Sequence, residues 1–535
     1  MNKIRRTVEH DVAMTTYDYD DDTVVVVIGS GAGGGTMADE LSSKGVNVVV
    51  LEAGPRFKEA DFINDEWAMW ERFTWHDKRT VTGSSSIAKN FSNAPTWICK
   101  GVGGTTLHWA GMCPPLRPYE FKTRTTYGAI EGANLADWPL SYEEIESDYI
   151  RAQIKLGVTG RNGMPLSPGS NNYKILALAA RRQGYIDYDT GNLAINSIPA
   201  DGRNACDQIG FCMQGCKSGA KWSTFNSEIP RAERSGHCEI RSRCMVIRIE
   251  TDQEGRIKEV LYIDGNGDVR CQRARIVCLA ANAIESARLL LNSESNINPN
   301  GLANHSGQVG KNYMRHVVGF IYGVFENPIN MYRGRVCDGL IRDEAKNDDS
   351  RGFVGGYFTA GVALGLPFFA AFLNPGAWGK DFAEWMENYD HVGGIHFNGE
   401  DLAVETNQVA LHPTEKDQFG LPIPTLNLDD HTNDLSMRTY ANQRSVAGLE
   451  SAGAIRVFES PPTPASHNLG TCRMSDSPEN GVLNKWGQSH EISNLFVSDG
   501  SQFVSSTAAN PTCLIVALAI RQSRYIQAQM TAGTL

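Results

Sequence analysis

The sequence predicts an α/β protein, with a Rossmann-like nucleotide-binding domain and a second domain that carries a β-sheet. Three observations lead there. An apolar run near the N-terminus gives way to a glycine-rich turn. A second apolar run, near the C-terminus, ends in Asp-Gly. The 535 residues, 41% apolar and 21% charged, have ordinary globular composition and length for about two to four domains around a large core. A net charge of −11 and the lack of a basic block exclude a nucleic-acid surface. Twelve cysteines are too sparse for a disulfide scaffold. Cys99, Cys113, Cys278, Cys472 and Cys513 sit in apolar or Gly-rich surroundings that suit buried thiols.

Residues 1–22 read as an N-terminal tail, with "YDYDDD" at 17–22 solvated. Arg5 and Arg6 have no apolar stretch behind them, so no secretory signal is predicted. The segment "TVVVVIGSGAGGGTMADELSSKGVNVVVLEAGPR" at 23–56 then supplies the nucleotide fold. Its continuous run at 24–28 suits a buried parallel strand. Gly29, Gly31 and Gly34 follow in G-x-G-x-x-G order, 36–44 reads as a helix, and "VNVVVLE" as a second strand ending at Glu52. The glycines permit a tight turn and a close approach to a pyrophosphate, and the helix start offers free N–H groups. Glu52, 23 residues after Gly29, can accept hydrogen bonds from a ribose. Gly54 in "EAGPR" points to FAD rather than NAD, by letting the chain turn over the adenosine. Farther on, Ser141 and Glu144 form a capping box that opens a helix over 141–158. The uncharged stretch 352–379 is long enough to span a bilayer. Gly361, Gly365, Pro367, Asn374 and Pro375 interrupt it, so it is expected to be a buried or interface segment of the second domain. Near the C-terminus, "NLFVSDGS" reads as a buried strand ending at Asp499 and Gly500. Asn510 is then a plausible N-cap, and Pro511 the first residue, of a final helix.

Four blocks resemble the glucose–methanol–choline (GMC) oxidoreductases, in that family's order: "GSGAGG…EAG", "GVGGTTLHWAG" at 101–111, "LAANAIESARLLLNS" at 279–293, and "SHNLGTCRM" at 466–474 with the strand and helix behind it. The resemblance spans most of the chain. It implies a GMC / p-hydroxybenzoate-hydroxylase-like fold with FAD held by separated segments. These include Gly29, Gly31, Gly34, Glu52, Gly103, Gly104, Thr105, His108, Val246, Asp499, Gly500, Asn510 and Pro511. It also implies oxidation of an alcohol by hydride transfer to flavin N5, with His467 as general base and Asn510 at the second catalytic position. The residue types fit. An imidazole, with an ordinary pKa of about 6.5, suits removal of a hydroxyl proton at neutral pH, and an amide can donate to the developing alkoxide. His108 resembles the histidine that pyranose oxidases link covalently to flavin, although "TTLHW" stands where those have Ser-Thr-His-Trp. A covalent link and simple packing both stay open.

In "CDQIGFCMQGC", Cys206, Cys212 and Cys216 are separated by five residues and then three. The residues alone leave an iron–sulfur cluster, a zinc site completed by Cys238 or Cys244, a disulfide and free thiols open. Within the family, one branch resembles this chain in that loop: the FAD-dependent sugar dehydrogenases of bacteria, such as glucose, fructose, sorbitol and glucoside 3-dehydrogenases. This implies a 3Fe-4S cluster on the three cysteines, for which three soft thiolates suffice. It further implies a carbohydrate substrate, a haem c electron acceptor, and a small subunit that carries the export signal. The chain is then expected in the periplasm by co-export, or otherwise in the cytoplasm, with membrane contact only through a partner. The expected organisation is a discontinuous FAD domain from 23–165, 200–320 and 460–535, with the iron–sulfur loop at 206–216, and a substrate domain at 320–460. Two other readings compete: an FAD pyranose or glycoside oxidase that uses oxygen and keeps structural thiols, and a non-catalytic electron-relay flavoprotein.

Overall fold

A computed structural model of the chain describes residues 15–75, 77–92, 96–365, 378–464 and 466–535. Strands Val25–Ile28, Val48–Glu52, Ile276–Leu279 and Leu495–Val497 are buried at every residue. A strand covered on both faces needs no polar alternation, and these strands pair in parallel. With Cys238–Ser242 they form a five-stranded sheet in the order 495–497, 276–279, 25–28, 48–52 and 238–242. Its strands thus come from three distant stretches of sequence.

Helix Ala32–Ser42 starts directly after Gly31, earlier than the expected 36. Glycines argue locally against helix, but packing demands them here. A Cβ on Gly34 would collide with the carbonyl oxygen of Gly29, and one on Gly33 with that of Ser498. The helix can sit this close to the sheet only without side chains.

A second sheet of six strands is antiparallel throughout: Arg456–Glu459, Val317–Val324, Val392–Gly399, Tyr357–Val362, Cys337–Ile341 and Tyr188–Asp189, in that order. Helices Asn171–Arg182 and Thr432–Ser451 cover one face, burying Leu176, Ile321, Ile395, Met437 and Leu449 together. Its other face looks toward the C-terminal ends of the parallel strands, and a large cavity lies between the two. Ligands bind at that end of a parallel sheet because the turns there present free backbone groups.

Residues 17–22 are solvated as expected, yet they are pinned. The Tyr17 N–H donates to Glu239 at 2.8 Å, and Asp22 pairs with Arg273 at 3.0 Å. The capping box forms. Ser141 Oγ accepts from the Glu144 N–H, and the Glu144 carboxylate accepts from the Ser141 N–H at 3.0 Å, opening helix Tyr142–Leu156. Within the uncharged stretch, Tyr357–Val362 is a fully buried strand of the second sheet, while 366–377 lie outside the described residues. Among the described residues no helix is long and apolar enough to cross a membrane.

Candidate active site

The glycine turn sets the floor of the cavity. Gly29 takes φ +96°, a left-handed backbone that favours glycine, and a Cβ there would strike Ala280 O. Next to it, Glu52 Oε2 accepts from the Ser30 N–H at 3.1 Å and from its hydroxyl at 2.6 Å, while Oε1 accepts from the Gly54 N–H at 2.8 Å. The Ser30 hydroxyl also accepts from the Gly103 N–H at 3.0 Å. So the carboxylate, the turn and the second glycine block are one hydrogen-bonded unit, with Gly104 stacked directly on Gly31. A carboxylate accepts about four hydrogen bonds. Glu52 therefore keeps a position for a ribose hydroxyl and lines the cavity.

The cavity is open at its mouth and has a volume of about 320 Å³. Of the expected cofactor residues, Gly29, Gly31, Glu52, Gly104, Thr105, His108, Val246, Asp499, Gly500, Asn510 and Pro511 line it. Gly34 and Gly103 stand behind the wall and act through backbone packing. Orphaned polar atoms face this space. His108 Nε2, Asn398 Oδ1 and Asn510 Oδ1 are buried on lining residues without a partner. A buried polar atom without a partner is costly, and a bound polar cofactor and substrate would supply one. The residues present therefore fit FAD. The His108 ring stacks on Trp97 at 5.0 Å. Burial, and then the Lys221 charge, lower it to about 3, so it is neutral.

At the far end of the cavity His467 meets Asn510, with Nε2 3.5 Å from the Asn510 amide nitrogen. The structure corrects the expected helix cap. Pro511 itself is the N-cap, the helix runs Thr512–Ala532, and no side chain caps it. The Asn510 side chain is turned to His467 instead, which leaves the first N–H groups of the helix unfilled beside the cavity. The other His467 nitrogen, Nδ1, lies 2.7 Å from Nδ1 of His316. His316 Nε2 in turn reaches Thr507 O at 2.9 Å. Burial first, then the neighbouring His316 and His396, hold His467 well below the usual histidine range, so it is neutral at neutral pH. Asn468 Oδ1 accepts from the Thr96 and Tyr313 hydroxyls at 2.9 and 2.7 Å, which fixes its amide at the cavity wall.

Cys206, Cys212 and Cys216 are free thiols, Cys212 buried and the other two partly accessible. Each sulfur accepts a backbone N–H: Cys206 from Gln208 at 3.4 Å, Cys212 from Val336 at 3.4 Å, Cys216 from Lys221 at 3.3 Å. Left-handed backbone at Gln208, Gly210, Phe211, Gly215 and Cys216 curls the loop around them. Among the described residues no three His, Cys, Asp or Glu side chains converge tightly enough to hold a single ion. Cys238 instead opens the edge strand of the parallel sheet and is buried there, and Cys244 lines the cavity. The five other cysteines expected to be buried are buried.

Sequence reasoning missed His316, His396, Asn398, Asn468 and Lys221. Lys221 is fully buried, and its ammonium donates to Leu107 O and Trp109 O at 2.9 and 2.8 Å, on either side of His108. Only Asn468 had a local signal, as the neighbour of His467. The rest arrive through long-range pairing.

A family model described as GMC oxidoreductase matches residues 77–318, and its C-terminal counterpart, with the same description, matches 403–519. A 2-methyl-1,2-propanediol dehydrogenase of Mycolicibacterium austroafricanum is 32% identical over 92% of this chain and 93% of its own. The fructose dehydrogenase large subunit of Gluconobacter japonicus is 29% identical over 94% and 97%. Among solved structures, a formate oxidase variant from Aspergillus oryzae superposes with a TM-score of 0.65 at 15% identity, over 96% of this chain and 99% of that one. The matched segments, the dinucleotide turn and the shared fold lead to one conclusion: the chain belongs to the GMC oxidoreductase family, and it is an FAD-dependent oxidoreductase acting on CH–OH groups.

Proposed function

We propose that the protein is a dehydrogenase of sugars or related polyols, with His467 as general base and Asn510 as the donor that holds the reacting oxygen. The carrying observation is the His467–Asn510 pair, 3.5 Å apart in the wall of the cavity that starts at the glycine turn. FAD, when bound, supplies the acceptor for the two electrons and the hydrogen that leave the carbinol carbon. The chain's residues do the rest. The glycine turn and Glu52 hold the nucleotide. His467, neutral at neutral pH, takes the hydroxyl proton at Nε2. Asn510 donates to the oxygen as negative charge develops on it. The open start of helix Thr512–Ala532 lines the cavity and would favour negative charge on a flavin held there. Val318, Phe320, Val362 and Leu364 wall this end of the cavity and exclude water.

The same reading gives the cysteine loop a 3Fe-4S cluster held by Cys206, Cys212 and Cys216. Three observations support it: each sulfur accepts an N–H, the loop curls around them, and the Lys221 ammonium lies in the field of Cys212 and Cys216. Such a cluster is a one-electron acceptor, and the partly accessible Cys206 and Cys216 suit delivery to a haem c protein. The two relatives named above are dehydrogenases, which agrees with this reading, while other relatives are named oxidases, so the cysteine loop and not the relatives' names is what favours it. One of them is named a large subunit, which supports a small partner subunit here too, with export to the periplasm depending on it.

The test is anaerobic flavin reduction by candidate sugars and polyols, with His467→Ala alongside. The variant should keep FAD and lose about 10²–10⁴-fold in reduction rate. Reduction at the wild-type rate would remove His467 from the chemistry.

A further inference from the structure

We propose that His316 is a positioning residue that fixes the proton of His467 on Nδ1 and so leaves Nε2 bare to act as the base. The inference rests on the base role given to His467. It starts from an oxygen that can only accept. His316 Nε2 lies 2.9 Å from the Thr507 carbonyl oxygen, so Nε2 must carry a hydrogen. His316 is almost fully buried, and the titratable groups that face it are His467 and His396, with no carboxylate among them. The backbone carbonyls of Thr507 and Ser506 favour a proton on the ring, but burial outweighs them and lowers His316 to about 4. Its Nδ1 is then a bare acceptor. The 2.7 Å contact between the two Nδ1 atoms needs one hydrogen, and only His467 can supply it. In a neutral ring, Nε2 of His467 is left with its lone pair, on the side where Asn510 stands.

The fold builds this arrangement from two directions. Met314 and Leu469 pair as an antiparallel bridge, each N–H donating to the other's carbonyl at 3.0 Å. Two residues along in each strand, 316 and 467 are the next positions that face each other on the same side. From the other direction, Thr507 sits at φ +58°, a left-handed backbone that a β-branched residue rarely adopts. Its neighbour holds it there: the Ala508 N–H donates to Glu120 at 2.7 Å, and Ala508 O accepts from Asn398 at 3.2 Å. The strained turn is what aims the Thr507 carbonyl at His316.

When substrate reacts, its O–H bond breaks and the proton forms a bond to His467 Nε2. The ring becomes an imidazolium, and its Nδ1–H stays on His316, which spreads the charge without leaving the site. Without His316 the neutral ring is free to place its proton on Nε2, where it blocks the base. A wrong tautomer costs up to about 10⁴-fold in triad enzymes.

The experiment compares His316→Leu, which removes the acceptor, with His316→Asn, whose Oδ1 takes the place of Nδ1, both as FAD-loaded protein in anaerobic single-turnover reduction. The Leu variant should lose about 10²–10⁴-fold in the limiting rate with little change in the half-saturating substrate concentration. The Asn variant should recover at least tenfold of that loss. Nitrogen NMR of the wild-type holoenzyme labelled at histidine reads the tautomer directly, and needs no variant beyond His467→Ala for assignment. Nδ1 of His467 should appear protonated and Nε2 bare. A protonated Nε2, equal losses for Leu and Asn, or a Leu variant at the wild-type rate would each overturn the proposal. If His467→Ala keeps its rate, the base reading fails. If only the His316 variants keep theirs, this inference alone fails.

Discussion

Glu120 and Glu400 are wholly buried carboxyls near the turn that precedes Asn510. Glu120 accepts from the backbone N–H groups of Arg117 and Ala508 at 2.5 and 2.7 Å, and Glu400 from the Tyr127 hydroxyl at 2.9 Å. Burial raises Glu120 to about 7, and burial followed by the Glu120 charge raises Glu400 to about 8. A carboxyl raised on folding binds its proton more tightly in the native state. The stability it contributes is whole below pH 4.5 and is lost as pH climbs through about 7 to 8. The buried histidines act in the opposite sense. His108 and His316, lowered to about 3 and 4, cost stability only as pH falls below 6.5. Above that point the carboxyls tilt the curve downward until about pH 8, where Lys221, lowered by burial to about 8, begins to act in the opposite sense. Thermal melts should therefore fall between pH 6.5 and about 8. Glu400→Gln, which keeps an acceptor for Tyr127, should flatten the fall by up to about 1.4 kcal/mol per pH unit. Parallel curves for wild type and variant would show that Glu400 does not titrate there.

The glycine turn makes a contrast available at the scale of the element. Gly34 has ordinary backbone, but its missing Cβ is the space through which helix Ala32–Ser42 touches Gly29. Gly45 takes φ +80° with open space around it. Gly34→Ala should lift the helix start from the strand, cost about 1–3 kcal/mol and lose FAD on purification. Gly45→Ala should cost only the backbone strain, about 1 kcal/mol at the low end of its range, and keep the yellow colour. The ratio of flavin to protein absorbance reads both. Equal flavin content in the two would mean that close helix–strand contact is not what holds the nucleotide. These elements were legible because their cause is local. A tight turn needs Gly29 whatever surrounds it, and Ser141 and Glu144 cap each other within one helical turn. The helix start was misplaced because three glycines weaken a helix locally, and only contact with Ser498, Gly29 and Thr224 explains them.

Across the whole molecule the cysteine loop runs from the cavity to the surface. Cys212 is buried against the N–H of Val336, a residue that lines the cavity, while Cys206 and Cys216 reach partial exposure. With the proposed cluster in this loop, electrons would have a way out of the cavity toward the surface. Anaerobically prepared protein should contain about three irons per chain, and Cys212→Ser should lose them, because a hard hydroxyl replaces a soft thiolate. Flavin reduction by substrate should persist in that variant, since His467 and Asn510 are untouched. Reduction of cytochrome c should fall sharply. A native protein without iron, or a variant with full cytochrome c turnover, would return the thiols to a structural role and favour the oxidase reading.

The sequence by itself determined the α/β class, the dinucleotide turn with Glu52, and His467, Asn510 and the three thiols as candidates. The turn and the thiols were readable because their chemistry sits in a few adjacent residues whose sterics or spacing are distinctive, whereas His467 and Asn510 were named by the resemblance to the GMC family. Only the tertiary structure decided that Asn510 turns its amide to His467 rather than capping a helix. It also decided that Lys221 lies between the His108 turn and the cysteine loop. Above all it decided that His316, 151 residues away, stands against His467. That contact follows from strand pairing between distant segments and from a turn held strained by a buried glutamate. No local pattern in a chain encodes either, because both arise when separate elements are packed into one core.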